Sequence, residues 1–182
     1  MEIISKPYLS LLHQLHKIGV QGINPWTTFY ETVAEFWTDQ EDVTYLFFGN
    51  NIPIEVDAQR YGKRKRFFDA LNQNGILVQQ GFTVLDSRKQ LVSKGIDVLM
   101  SMHMMELSTA GYDEIIVATA SSNIVPVIER VKATGTHVRA IVSESAPAGK
   151  LVSAVDSILS LEEVLSYLPT KNIKWKKESV VA

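Results

Sequence analysis

Residues 94–142 read KGIDVLMSMHMMELSTAGYDEIIVATASSNIVPVIERVKATGTHVRAIV, and their reading decides the fold. The stretch alternates between two periodicities. Residues 94–107 read as a helix, and EIIVATA (114–120) is an almost fully apolar strand. Residues 124–133 read as a second helix with Gly135 near its end, and HVRAIV (137–142) as a second strand. A strand that is apolar at nearly every position is buried on both faces, the signature of a parallel sheet covered by helices on either side.

The same alternation continues outward. VTYLFF (43–48) is a short strand that meets a loop at Gly49-Asn50-Asn51. A helix over 56–74 is closed by Gly75, and ILVQQGFTVL (76–85) reads as one strand. Downstream, a helix fits 147–154, DSILSL (156–161) is a short strand, and 161–168 a last helix. Strands alternating with helices predict a three-layer α/β fold with a mainly parallel central sheet. Ligands of such sheets bind outside the carboxyl ends of the strands, here the segments 48–51 and 119–123.

This α/β domain is expected over residues 42–168, with an N-terminal helical arm over 1–41 and a basic tail over 169–182. In the arm, Leu9, Leu12, Leu15 and Ile18 have helical spacing and Gly19 ends the run. A second helix from Pro25 to about Trp37 carries Trp26, Phe29, Tyr30, Val33, Phe36 and Trp37. Aromatic stripes at this spacing usually bury themselves, so the arm covers the main domain or makes a dimer contact; a platform for stacked bases is the alternative. The tail, with four lysines and one Trp, reads as a solvated end or a weak nucleic-acid contact.

Composition sets limits. With 182 residues, 46% of them hydrophobic and 21% charged, the chain suits one domain with small additions. It has no cysteine, which excludes disulfides, thiolate zinc sites and cysteine nucleophiles. No apolar run approaches the roughly 18–20 residues of a membrane span. The start MEIISKPYLS has no signal-peptide pattern, so a cytoplasmic location is expected. A net charge of -2 provides no global attraction to nucleic acid, so any such binding has to come from local patches. His13 and His16 lie on the first helix without a third ligand in view and read as surface groups. No P-loop, GxGxxG or GxSxG motif occurs.

Three segments in order carry a family resemblance: YLFFGNNIP, KGIDVLMSMH and ATASSNIVP. They resemble the three motifs of NYN domains, in the LabA-like branch of the PIN-like nucleases. In that family a first strand ends in DGxN, a helix opens with KGVDVxLxxD, and a later strand ends in SGDxDFxP. The resemblance covers roughly residues 43–165 and implies a ribonuclease whose carboxylates hold Mg²⁺ or Mn²⁺. Such cations prefer several oxygen ligands, activate a water and stabilise the phosphoryl transition state.

This chain departs from that pattern where it matters most. The first acid falls on Phe48, while the Asn of the first motif is kept as Asn51. The first Asp of the second motif is kept as Asp97, and its second falls on His103. The acids of the third fall on Ser121 and Asn123. One carboxylate among neutral groups is a poor magnesium site, which implies a degenerate active site with nuclease activity impaired or lost and no cofactor. Glu55, Asp57 and Glu144 are the candidate replacement ligands, and His103 with Asp97 could suit a transition metal.

The clearer signal is RYGKRKRFF. Arg60, Lys63, Arg64, Lys65 and Arg66 form a dense positive run, which Lys94, Arg88 and Lys89 extend. On a helix, Arg60, Lys63 and Arg64 share one face, suited to phosphate backbones without sequence preference or simply to solvent. The residues at 121–123 offer backbone N–H groups at the start of a helix, a further anion-binding feature and equally an ordinary cap. Three readings follow. The first is an RNA-binding protein with impaired metal-dependent ribonuclease activity. The second is an active ribonuclease, using Mg²⁺ or Mn²⁺, with a rearranged site around Asp97. The third is an interaction module that forms a homodimer or another homo-oligomer. None involves a membrane.

Overall fold

A computed structural model describes residues 2–5, 11–39, 42–146 and 148–176. Six strands form one sheet: β1 (Glu2–Ser5), β3 (Thr44–Gly49), β4 (Ile76–Gln80), β7 (Glu114–Ala118), β8 (His137–Val142) and β9 (Ser157–Ser160). Their spatial order is β4-β3-β1-β7-β8-β9. Every pairing is parallel, with Ile4 in register with Leu46 on one side and Val117 on the other. The chain builds outward from β1 to β3 and β4, then returns to place β7, β8 and β9 on the opposite side of β1. The direction therefore reverses between β1 and β7, and ligands of open α/β sheets bind outside the carboxyl ends of the strands at such a reversal.

The near-continuous apolar strands are explained by two buried clusters. Ile115 and Val117 of β7 join one, and their neighbours Ile116 and Ala118 join the other. Successive side chains of a strand point to opposite faces, so the two clusters lie on opposite faces of the sheet. Over the Ile116 face pack α1 (Leu12–Lys17), α2 (Thr27–Trp37), α3 (Ala58–Gln73) and α7 (Leu161–Tyr167), through Leu15, Phe29, Tyr30, Phe68 and Val164. Over the Val117 face pack α4 (Ile96–Thr109), α5 (Val125–Ala133) and α6 (Gly149–Ala154), through Met100, Met104, Ile128, Val131 and Leu151. Truncating one such fully buried residue to Ala costs about 2–5 kcal/mol.

The segment expected as a helical arm beside the main domain packs on it and also supplies a strand of its sheet. Its strand β1 lies in mid-sheet, between β3 and β7. Trp26, Phe29, Tyr30 and Val33 of the aromatic stripe are buried in the core, and the Tyr30 hydroxyl donates to the Leu46 carbonyl at 3.0 Å. Of the helix expected over 7–18, α1 begins at Leu12; residues 7–10 lie outside the described residues.

The basic tail is likewise tied down over its first half. β10 (Ile173–Trp175) pairs antiparallel with β2 (Val20–Ile23), and the Lys176 N–H donates to the Gly19 carbonyl at 2.8 Å. The end expected to be solvated is thus held in a strand pair as far as Lys176, with Lys171, Lys174, Trp175 and Lys176 exposed. Residues 177–182 lie outside the described residues.

The single strand expected over 76–85 is two. β4 ends at Gln80, and β5 (Phe82–Leu85) leaves the main sheet to form an antiparallel hairpin with β6 (Leu91–Lys94). The break falls at Gly81. A Cβ there would stand 2.4 Å from the Lys94 carbonyl oxygen and 2.6 Å from Asn50 Oδ1, so only glycine allows the root of the hairpin to close against the end of β3.

Candidate functional site

The carboxyl end of the sheet collects most of the polar residues singled out above. β6 enters α4 through Gly95, whose φ of 82° is the left-handed conformation that glycine adopts without strain. Asp97 then sits in the first turn of α4, where its charge is favoured by the helix dipole. Its Oδ2 accepts a hydrogen bond of 2.9 Å from Asn123 Nδ2. Asn123 lies in the 3-10 turn Ser122–Ile124 that follows β7, and the Asn123 N–H donates to Ser121 Oγ at 3.4 Å. The fold thus brings Asp97, Ser121 and Asn123 together from two separate crossovers. Asp97 and Asn123 border a cleft of about 650 Å³, lined also by Ser93, Lys94, Ser101 and Met102 among others, whereas Ser121 is not part of its lining.

Asn51 and His103 have other tasks. Asn51 Oδ1 accepts from the Ile52 N–H at 2.9 Å, and its carbonyl accepts from the Thr83 hydroxyl at 2.7 Å, which shapes the turn after β3. His103 Nδ1 lies 3.3 Å from Glu106 Oε2, and its ring packs edge-on against Phe48 at 5.6 Å between centroids. Phe48 is fully buried among Met100, Met104 and the rest of the Val117-face cluster. Neither His103 nor Asn51 is among the residues lining the cleft.

Asn50, which the sequence reading did not single out, does more than its neighbour. It is 3% exposed, and its Nδ2 donates to the Phe82 carbonyl at 2.8 Å and the Ser93 hydroxyl at 2.5 Å, with the Lys94 carbonyl at 3.3 Å. It pins the hairpin root to the end of β3 and so fixes one wall of the cleft. The doubled Asn at the strand end was the only signal in the sequence, and it did not say which Asn points inward.

The topology also moves the first motif. VTYLFF is the second parallel strand in chain order, and β1 is the first. The carry-over of an acid to Phe48 assumed the reverse, because EIIS is too short and too polar at its ends to stand out. The strand end that matches the motif by order is Ser5, and residues 5–10 (SKPYLS) contain no Asp or Glu either.

The possible replacement acids are dispersed. Asp57 caps α3, its Oδ1 accepting from the Arg60 N–H at 2.9 Å, while Glu55 and Glu144 are exposed. Among the described residues, no group of three His, Asp or Glu side chains is placed to hold a metal ion. One carboxylate shared with an amide donor does not fit Mg²⁺ or Mn²⁺, which take several oxygen ligands at once.

The cations of α3 divide by role. Arg60, Lys63 and Arg64 line a second pocket, of about 300 Å³, with Ile52 and Phe67 as its apolar part. Arg64 reaches inward: its Nη1 donates to the Asn50 carbonyl at 2.7 Å, and burial pushes its guanidinium down to about 10, still charged at neutral pH. Lys65 turns the other way and pairs with Asp69 at 2.9 Å. Arg66 and Lys94 are exposed, Lys94 at the mouth of the first cleft.

Comparison with known proteins bears on the family and the fold. A family model described as NYN domain matches residues 16–162. No curated protein matches the chain. Among solved structures, a crystal structure of a protein of unknown function from Vibrio parahaemolyticus is similar, with a TM-score of 0.66. It is 14% identical, and the match covers 90% of this chain and 93% of that one, a likeness of fold alone.

Proposed function

The chain belongs to the NYN domain family, within the PIN-like nuclease superfamily, and on that premise we propose that it binds RNA with its metal-dependent ribonuclease activity impaired or lost. The observation that carries this reading is the Asp97–Asn123 hydrogen bond. Where the family pattern has converging acids, this chain places one carboxylate against a neutral amide donor. A metal would have to displace that amide, and among the described residues no group of three His, Asp or Glu side chains is placed to hold it. RNA faces no such obstacle, since a site with fewer acids repels phosphates less.

The RNA would run from the α3 pocket, where Arg60 and Lys63 meet phosphates, toward the cleft bordered by Lys94, Asp97 and Asn123. Arg66 lies on the same helix, and Arg64 holds the Asn50 carbonyl between the two pockets. We assign the chain to the LabA-like branch, with the three-layer arrangement of PIN-like domains and a cytoplasmic location. Among the described residues no helix is long and apolar enough to cross a membrane.

The test measures binding and cleavage together on labelled single-stranded and structured RNA, with Mn²⁺, Mg²⁺ or EDTA. Salt-sensitive binding without cleavage, unchanged by EDTA, is the expected result. Metal-dependent cleavage that Asp97→Asn abolishes would show instead a working site rebuilt around Asp97. Neither binding nor cleavage would leave the interaction-module reading.

A further inference from the structure

The basic helix presents its charges unevenly, and the unevenness is informative. Of the five cations in the run 60–66, Arg64 is spent on the Asn50 carbonyl and Lys65 on Asp69. Arg60 and Lys63 are exposed, and their side chains have no hydrogen-bond or ion-pair partner among the described residues. Both open onto the same pocket of about 300 Å³, beside the anchored guanidinium of Arg64. Its apolar lining is fixed in place. Ile52 is buried, and Phe67 packs edge-on against Phe47 at 5.4 Å and lies 5.9 Å from Phe68 between centroids.

A surface that tracks an RNA backbone spaces its cations along the strand, one phosphodiester to each. Here three cations converge on one small concavity with an aromatic side. Such a concavity suits a more concentrated charge than a phosphodiester offers. A phosphomonoester carries about -1.5 to -2 at neutral pH and three acceptor oxygens. A ring beside it provides a stacking face for the attached base.

We propose that the Arg60–Lys63–Arg64 pocket recognises the terminal phosphate of an RNA strand, with the end nucleotide lying against Phe67. This rests on the RNA-binding reading above and adds to it a class of substrate, strands that end in a phosphomonoester. Arg60 and Lys63 supply the charges that move to meet the phosphate. Arg64, held on Asn50, supplies the fixed one.

The experiment compares one single-stranded RNA sequence in three forms, with a 5′-phosphate, with a 3′-phosphate, and with hydroxyls at both ends. Binding to the full-length protein is read by fluorescence anisotropy. One phosphorylated form should bind about tenfold more tightly than the hydroxyl form, the size expected for charge-assisted contacts to a doubly charged group. The identity of that form tells which end is read. Arg60→Ala with Lys63→Ala should erase the preference, so that within the variant the phosphorylated and hydroxyl forms bind equally, whatever the loss in affinity common to both. Both side chains are exposed, and an unchanged melting temperature confirms that the variant folds. Equal binding of all three forms would overturn the terminal-phosphate pocket and leave RNA binding intact. No binding of any form would overturn the RNA reading itself, and this proposal with it. A preference that survives the double variant would place the phosphate elsewhere and overturn the assignment.

Discussion

At the scale of single residues, Asn50 and Gly81 control the geometry of the cleft more than the residues that would do chemistry in it. Gly81 has Asn50 Oδ1 and the Lys94 carbonyl oxygen where a Cβ would go. Gly81→Ala should therefore push the hairpin root off β3 and cost about 2 kcal/mol or more. In a domain of this size that lowers the melting temperature by roughly 5 °C or more, measured by calorimetry. A melting temperature unchanged by the substitution would mean that the root accommodates a methyl group and that the close approach is unimportant. None of this was legible beforehand. The constraint on Gly81 comes from a carbonyl thirteen positions later in the chain, and no local pattern reports it. Asp97 and Asn123 were legible, because each follows an element boundary that periodicity marks, and both boundaries face the same end of a parallel sheet.

Among the elements, α7 shows how a helix terminus ties distant segments together. Glu162, in its first turn, accepts from the Ser143 hydroxyl at 2.5 Å and the Glu144 N–H at 3.1 Å. Ser143 is fully buried, and its own N–H donates to Gln14 Oε1 on α1 at 2.6 Å. Burial on its own would raise the Glu162 carboxyl, but the Ser143 hydroxyl and the backbone N–H groups of Glu144, Glu162 and Ser145 more than offset it. Its proton affinity in the folded state is therefore lower than its ordinary value of 4.5. A depressed carboxyl contributes stability that is complete above the unfolded value and lost as the pH falls through the folded one. Glu162→Gln should thus be less stable than the parent at pH 7, with the gap closing as the pH drops below 4.5. Denaturant titrations across that range measure the gap, and a gap constant from neutral to acid pH would rule the network out as its source. Helices such as α3 and α4 were legible from their spacing. The β2–β10 pair was not, since each strand is short and its partner lies at the other end of the chain.

For the whole molecule, the decisive feature is the place of β1. The sheet is two half-sheets, β4-β3 and β7-β8-β9, joined only through this four-residue strand. Loss of Glu2–Ser5 would leave β3 and β7 without their shared neighbour. A chain beginning after Ser5 should therefore lose its cooperative thermal transition, read by circular dichroism, whereas a conventional flexible terminus could be trimmed without effect. An intact, cooperative transition in the trimmed chain would show that the two half-sheets hold together through their helices alone.

The same feature bears on how the protein is made. The strand that ends up inside the sheet leaves the ribosome before either of its neighbours, and its second partner, Val117 opposite Ile4, emerges more than a hundred residues later. Until then the nascent chain carries an apolar strand with an open edge, a template for pairing with any other chain nearby. Successful synthesis of this protein therefore depends on keeping β1 out of foreign company until β7 has been made, a vulnerability that a sheet whose neighbouring strands are consecutive in the chain would not share.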